Sequence, residues 1–149
     1  MEKGVFTFKR IILVITLLCT IVFFTSCTTR KMKDYYSQKD NYITATGTIS
    51  HIAYSEDNTA LCLGFSELTP TFDDTDFEVV GENLLITQRN GIDTKIKVGD
   101  QVDFITAPRY FYDGYIMPIV SISVNGECLL EFEEGYANLL EWLKTTPIY

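Results

Sequence analysis

The hydrophobic pattern divides the chain into three stretches of different character. Residues 11–24, IILVITLLCTIVFF, are apolar throughout except for two threonines. Residues 28–40, TTRKMKDYYSQKD, are polar and carry Arg30, Lys31, Lys33 and Lys39 against Asp34 and Asp40. From residue 42 onward, short alternating apolar segments are separated by turn signals, the pattern of half-buried strands. YITATGTISHIAY (42–54) alternates and then shifts phase around Gly47, which predicts a bent strand or a bulge. SEDNT (55–59) is a turn, and ALCLGF (60–65) puts Leu61, Leu63 and Phe65 on one face. ELTPTFDDTD (67–76) reads as an acidic loop, and FEVVGENLLITQ (77–88) as a strand pair or one interrupted strand. RNGID (89–93) is a turn, and KIKVGDQVDFIT (95–106) is a Gly-Asp turn leading into a strand.

RYFYDGYIM (109–117) holds an Asp-Gly turn, and IVSISV (119–124) runs into a second turn at Asn125-Gly126. Such dipeptides supply the positive φ angles that tight hairpins require. With a two-residue loop at Asp113-Gly114, alternation places Ile116, Pro118, Val120, Ile122 and Val124 toward a core. The opposite face then carries Tyr110, Tyr112, Tyr115, Met117 and Ile119, a platform for sugar rings or a peptide, or a surface for a covering helix. Beyond it, Phe132, Tyr136, Leu139, Leu140 and Leu143 recur at helical spacing. Glu133 and Glu134 in the first turn and Lys144 in the last suit the helix dipole, and Pro147 stops the helix.

The expected fold is mainly β: five to six antiparallel strands in a small barrel with one C-terminal amphipathic helix. The order of strands, with a Lys-Val-Gly-Asp turn before a late strand and a final hairpin, resembles an oligonucleotide/oligosaccharide-binding (OB) barrel over about residues 42–130. A fold resemblance does not by itself assign a function.

The N-terminal stretch has a different meaning. Lys3, Lys9 and Arg10 precede the apolar run, as in the basic and apolar regions of an export signal. Fourteen helical residues cover about 21 Å, short of the roughly 30 Å hydrocarbon core. The run ends in Phe24-Thr25-Ser26-Cys27. This resembles the lipobox of bacterial lipoprotein precursors at three of four positions, with Phe24 where leucine is usual. The resemblance implies cleavage between Ser26 and Cys27 and a diacylglyceryl thioether on the Cys27 sulfur. Two acyl chains give stable anchoring, and basic residues beside an anionic leaflet add about 1 kcal/mol each. The expected organisation is a signal peptide over 1–26, a lipidated basic tether over 27–41 and a barrel domain over 42–149. The expected location is the extracytoplasmic side of the cell membrane.

Charge then narrows the partners. Residues 41–149 carry five Lys and Arg against 17 Asp and Glu, a net of −12. Such a body is repelled by anionic membranes and argues against nucleic acid, whose binders need a basic face. The expected partners are the membrane, through the lipid, and an envelope protein, peptide or glycan. Asp73, Asp74, Asp76 and Glu78 raise Ca²⁺ binding, but their spacing lacks the glycine and distal glutamate of an EF-hand loop, so a solvated acidic loop is expected and no metal or cofactor. His51, the single histidine, lies in a predicted strand as a structural imidazole. No C-x-x-C, H-E-x-x-H, G-x-S-x-G or phosphate-binding glycine loop occurs. Cys62 and Cys128 are expected as free thiols, although one disulfide is open to them. The expected function is a non-catalytic binding module; the alternative is a small envelope hydrolase or metal-dependent enzyme acting through carboxylates.

Overall fold

Runs rich in β-branched and aromatic residues form the strands, and a computed structural model describes residues 30–109, 111 and 117–145. The chain divides into two compact units, one of residues 1–35 with 147–149 and one of Tyr36–Thr146. In the first, the described residues 30–35 are helical. The second contains six strands among its described residues: β1 (Ile43–Tyr54), β2 (Ala60–Thr69), β3 (Asp76–Val80), β4 (Gln101–Thr106), β5 (Met117–Val124) and β6 (Glu127–Leu130). Helices α1 (Gly81–Arg89) and α2 (Ile92–Lys95) lie between β3 and β4, and α3 (Phe132–Thr145) ends the unit.

The strands form one sheet in the order β3-β2-β1-β4-β5-β6. Neighbours run antiparallel, and a short parallel contact of β3 with β5, Phe77 with Met117 and Glu78 with Pro118, closes the sheet in part into a five-stranded ring. Strand β1 curves between β2 on one side and β4 on the other. That connectivity, with helices inserted between β3 and β4, is OB-like. Inside the ring, Phe65 stacks on Phe104 at 4.6 Å, and Phe77 meets them edge-on at 5.6 and 5.0 Å. Gly47 faces this cluster: a Cβ there would stand 2.8 Å from Leu68 and 2.9 Å from Phe65. Leu84, Ile92 and Ile96 from the α1–α2 segment join the same core.

Three expectations need correction. Residues 77–88 are not a strand pair: β3 stops at Val80 and the rest is α1. Two polar residues hid the helical stripe, because α1 buries Asn83 and Thr87 with Leu84 and Ile86. Asn83 donates to the Gly135 carbonyl at 2.8 Å and accepts from Asn138 at 3.1 Å, while Thr87 donates to the Leu84 carbonyl. The C-terminal helix is therefore not the single helix of the unit. Finally, Met117 and Ile119 lie in the core rather than on an outer face. Thr106 pairs with Ile119 and Ile105 with Ser121, leaving Val120 as a bulged extra residue. One inserted residue flips the alternation, so Met117 and Ile119 point inward with Ile122 and Val124. The predicted irregularity near Gly47 is present, between Thr46 and Thr48.

Helix α3 packs on the outer side of β5, burying Gly135, Tyr136, Leu139 and Leu143. The residues read as the end of the tether join this unit. Tyr136 donates to the Ser37 carbonyl at 2.5 Å, Lys39 pairs with Glu133 at 2.6 Å, and its ammonium lies 5.1 Å from the Tyr136 ring centroid. Among the described residues, no helix is long and apolar enough to cross a membrane.

The approach of α3 to β5 rests on one missing side chain. A Cβ on Gly135 would sit 2.0 Å from the Val120 carbonyl oxygen, which backbone cannot vacate cheaply. Gly135→Ala is expected to destabilise the protein by about 1–3 kcal/mol through overpacking. The measurement is the urea midpoint, and an unchanged midpoint would contradict the packing described.

Candidate functional site

The outer face of β1, β2 and β3 gathers the groups with chemical potential, and strand register explains how. On β2, Leu61, Leu63 and Phe65 point into the core, so Cys62 and Gly64 point out. On β3, Phe77 and Val79 are buried, so Asp76 and Glu78 point out. His51 joins them because of a bulge. Ile49 pairs with Phe65 and His51 with Gly64, so Ser50 is an extra residue on β1. Without it, His51 would follow Ile49 into the barrel; with it, Ile52 packs against the core and His51 turns outward.

Gly64 makes the arrangement possible. It pairs with His51 on one side and Asp76 on the other. A Cβ at Gly64 would lie 2.0 Å from the imidazole and 2.8 Å from Asp76 Oδ1. The imidazole therefore lies across the bare strand and reaches the third strand. His51 Nε2 is 3.2 Å from Asp76 Oδ1 and 3.9 Å from Cys62 Sγ. The two side chains are half-exposed, at 52% and 40%, yet Asp76 Oδ1 itself is shielded from solvent. Close as the imidazole is, the oxygen has no partner in hydrogen-bond geometry among the described residues. The ligand atoms of His51, Cys62 and Asp76 all lie within 4.8 Å of one another.

Burial, followed by the charges of Asp76, Glu78 and Asp74, pushes the Cys62 thiol up to about 11. That is the reverse of an activated cysteine, whose pKa is lowered. The orientation also opposes a nucleophilic triad, in which the nucleophile and the acid approach opposite ring nitrogens. Here both approach Nε2. The three donors converge on one point instead of forming a relay.

The calcium candidates separate. Asp76 belongs to the cluster just described, and Glu78 stands across from Cys62 on the same face. Asp74 turns back on its own loop, accepting from the Thr75 and Asp76 amides at 2.7 and 3.2 Å. Asp73 is exposed, and the four carboxylates form no common ligand set among the described residues. Beside the cluster's strand, Phe65, Ser66, Glu67, Leu68, Thr71, Phe72 and Thr75 line an open depression of about 290 Å³.

Of the sequence-derived binding face, Met117 is buried, and Tyr110, Tyr112 and Tyr115 lie outside the described residues, as do Ser26 and Cys27. Met117 pairs with Phe77, next in sequence to Asp76. Cys62 and Cys128 are free thiols. Sequence reasoning treated His51, Cys62 and Asp76 separately; spacings of 11 and 14 residues form no local motif, and only the register unites them. Comparison with known protein families, curated proteins and solved structures finds no match.

Burial alone raises the Glu78 carboxyl from 4.5 to about 7. Between those pH values the folded chain holds a proton that the unfolded chain has lost, so stability falls as pH rises through this window. Glu78→Gln removes that penalty. Its melting temperature is expected to exceed the wild type's at pH 8, with the gap narrowing by pH 5. Thermal denaturation at the two pH values checks this, and a gap independent of pH would refute it.

Proposed function

We propose that this protein is a lipid-anchored component of the cell envelope, held on the extracytoplasmic side of the membrane through Cys27. Its OB-like barrel acts as a non-catalytic binding module toward an envelope protein, peptide or glycan. The observation that carries the binding reading is the convergence of polar donors on the outer face of β1, β2 and β3 without an activated nucleophile. In OB folds the face of strands 2 and 3 is where ligands bind, and Phe65, Leu68 and Phe72 line an open depression formed by β2 and the β2–β3 loop. The net charge of −12 on residues 41–149 supports a partner other than nucleic acid.

The hydrolase alternative finds less support. Burial and the neighbouring carboxylates push the Cys62 thiol up, and Cys62 and Asp76 approach the same imidazole nitrogen, Nε2, which does not give a proton relay. The anchor reading is supported by the basic start, the short apolar run and the Thr25-Ser26-Cys27 sequence.

Cys27→Ser tests the anchor, because it removes the thioether sulfur and leaves the apolar run intact. Metabolic labelling with a fatty acid, read with membrane fractionation, is expected to show label in the wild type and none in the variant. The variant is also expected to accumulate as precursor or to be shed. Label retained by Cys27→Ser together with wild-type fractionation would refute the anchor.

A further inference from the structure

The donors on the barrel face have the dimensions and the chemistry of a transition-metal site. A tetrahedral zinc ion, with bonds of about 2.0–2.3 Å, holds its ligand atoms about 3.3–3.8 Å apart. The His51 Nε2 to Asp76 Oδ1 separation is 3.2 Å and that to Cys62 Sγ is 3.9 Å. The remaining pair, Cys62 Sγ and Asp76 Oδ1, also lies within 4.8 Å. The mixed nitrogen, sulfur and oxygen set suits a borderline cation, while calcium needs six to eight oxygens.

A second observation points the same way. Asp76 Oδ1 is withdrawn from solvent and accepts no hydrogen bond from the described residues, an uncommon state for a carboxylate oxygen. A cation placed between it, the imidazole and the sulfur satisfies that oxygen. The carboxylates of Asp74, Asp76 and Glu78, near enough to act on Cys62, supply the negative field that draws a cation in.

We propose that His51, Cys62 and Asp76 bind a divalent transition-metal ion of the zinc class through Nε2, Sγ and Oδ1, with an open coordination position facing outward from the barrel. On binding, the sulfur–metal bond replaces the sulfur–hydrogen bond and the proton leaves to solvent. Three protein ligands and one open position form an exchangeable site, unlike the four-ligand closure of structural zinc. The inference deepens the binding reading above by naming a ligand class for its face, and it does not depend on the anchor at Cys27.

The test uses the full chain in detergent, stripped with a chelator and titrated with Co²⁺ and then Zn²⁺. Co²⁺ is expected to give a sulfur-to-cobalt charge-transfer band saturating at one equivalent, which Zn²⁺ abolishes by displacement. Cys62→Ser is expected to lose the band, and Cys128→Ser to keep it. Asp76→Asn, nearly isosteric, is expected to weaken cobalt affinity by at least about tenfold, since even outer partners of a metal site cost 10–100-fold. Far-UV circular dichroism of each metal-free variant confirms folding; should Cys62→Ser misfold, Asp76→Asn carries the test. A missing band in the wild type, a band that persists in folded Cys62→Ser, unchanged affinity in Asp76→Asn, or displacement by Ca²⁺ as readily as by Zn²⁺ would each overturn the inference. Fatty-acid labelling of Cys27 and partner capture on the same samples are read independently, so failure of the metal site is distinguishable from failure of the binding module.

Discussion

The junction of β3 with β5 has the shortest ladder of the ring among the described residues, and the rest of the structure depends on how it is held. Among the described residues, only Phe77 with Met117 and Glu78 with Pro118 pair across it. So short a ladder does not close a ring by itself, because loop and strand entropy oppose it. The closure is held from within. Phe77 stands at the junction, fully buried, and its ring meets Phe65 and Phe104 in the interior. Phe72 covers it from the β2–β3 loop at 5.6 Å. Aromatic pairs in these geometries contribute about 0.5–1.5 kcal/mol beyond their burial. The same residue thus pairs the edges and fills the space between them.

Bending a sheet around so narrow an interior requires irregular strands, and the irregularities determine what faces outward. Closure asks for tilt and curvature, which bulges supply. Extra residues occur on β1 at Ser50, on β2 in the stretch Glu67–Leu68, where Glu67 adopts a φ of 54°, and on β5 at Val120. The bulge at Val120 sends Met117 inward to complete the core. The bulge at Ser50 does the opposite to His51, sending it out over Gly64. The candidate site is therefore a consequence of barrel curvature, built where β1 leaves regular pairing with β2.

Much of the fold was legible because it is written in local chemistry. Asn125 and Gly126 take φ of 52° and 79° at the β5–β6 turn, and Gly99 takes 93° before β4, as their sequences imply. The stripe Tyr136, Leu139 and Leu143 of α3 is buried as its spacing indicates. Helix α1 was not legible, because its buried stripe includes Asn83 and Thr87, whose partners come from α3 and from its own turn. The inward turn of Met117 was not legible either, since a bulge leaves no compositional trace at Val120. The cluster of His51, Cys62 and Asp76 lay furthest beyond reach. Each residue is unremarkable within its own strand, and their meeting depends on two registers and one bare glycine.

That dependence also explains why a site on three strands differs from one on a loop. The acidic segment around Asp73 and Asp74 offers more charge, but Asp74 is committed to the amides of Thr75 and Asp76. Drawing those carboxylates around an ion would require the loop to lose these bonds and to order itself. His51, Cys62 and Asp76 are instead fixed by the pairing that folds β1, β2 and β3. Folding has already met the cost of bringing them together, which is what preorganisation means for a binding site. The choice between the two groups of ligands is thus made by backbone rigidity, with net negative charge common to both.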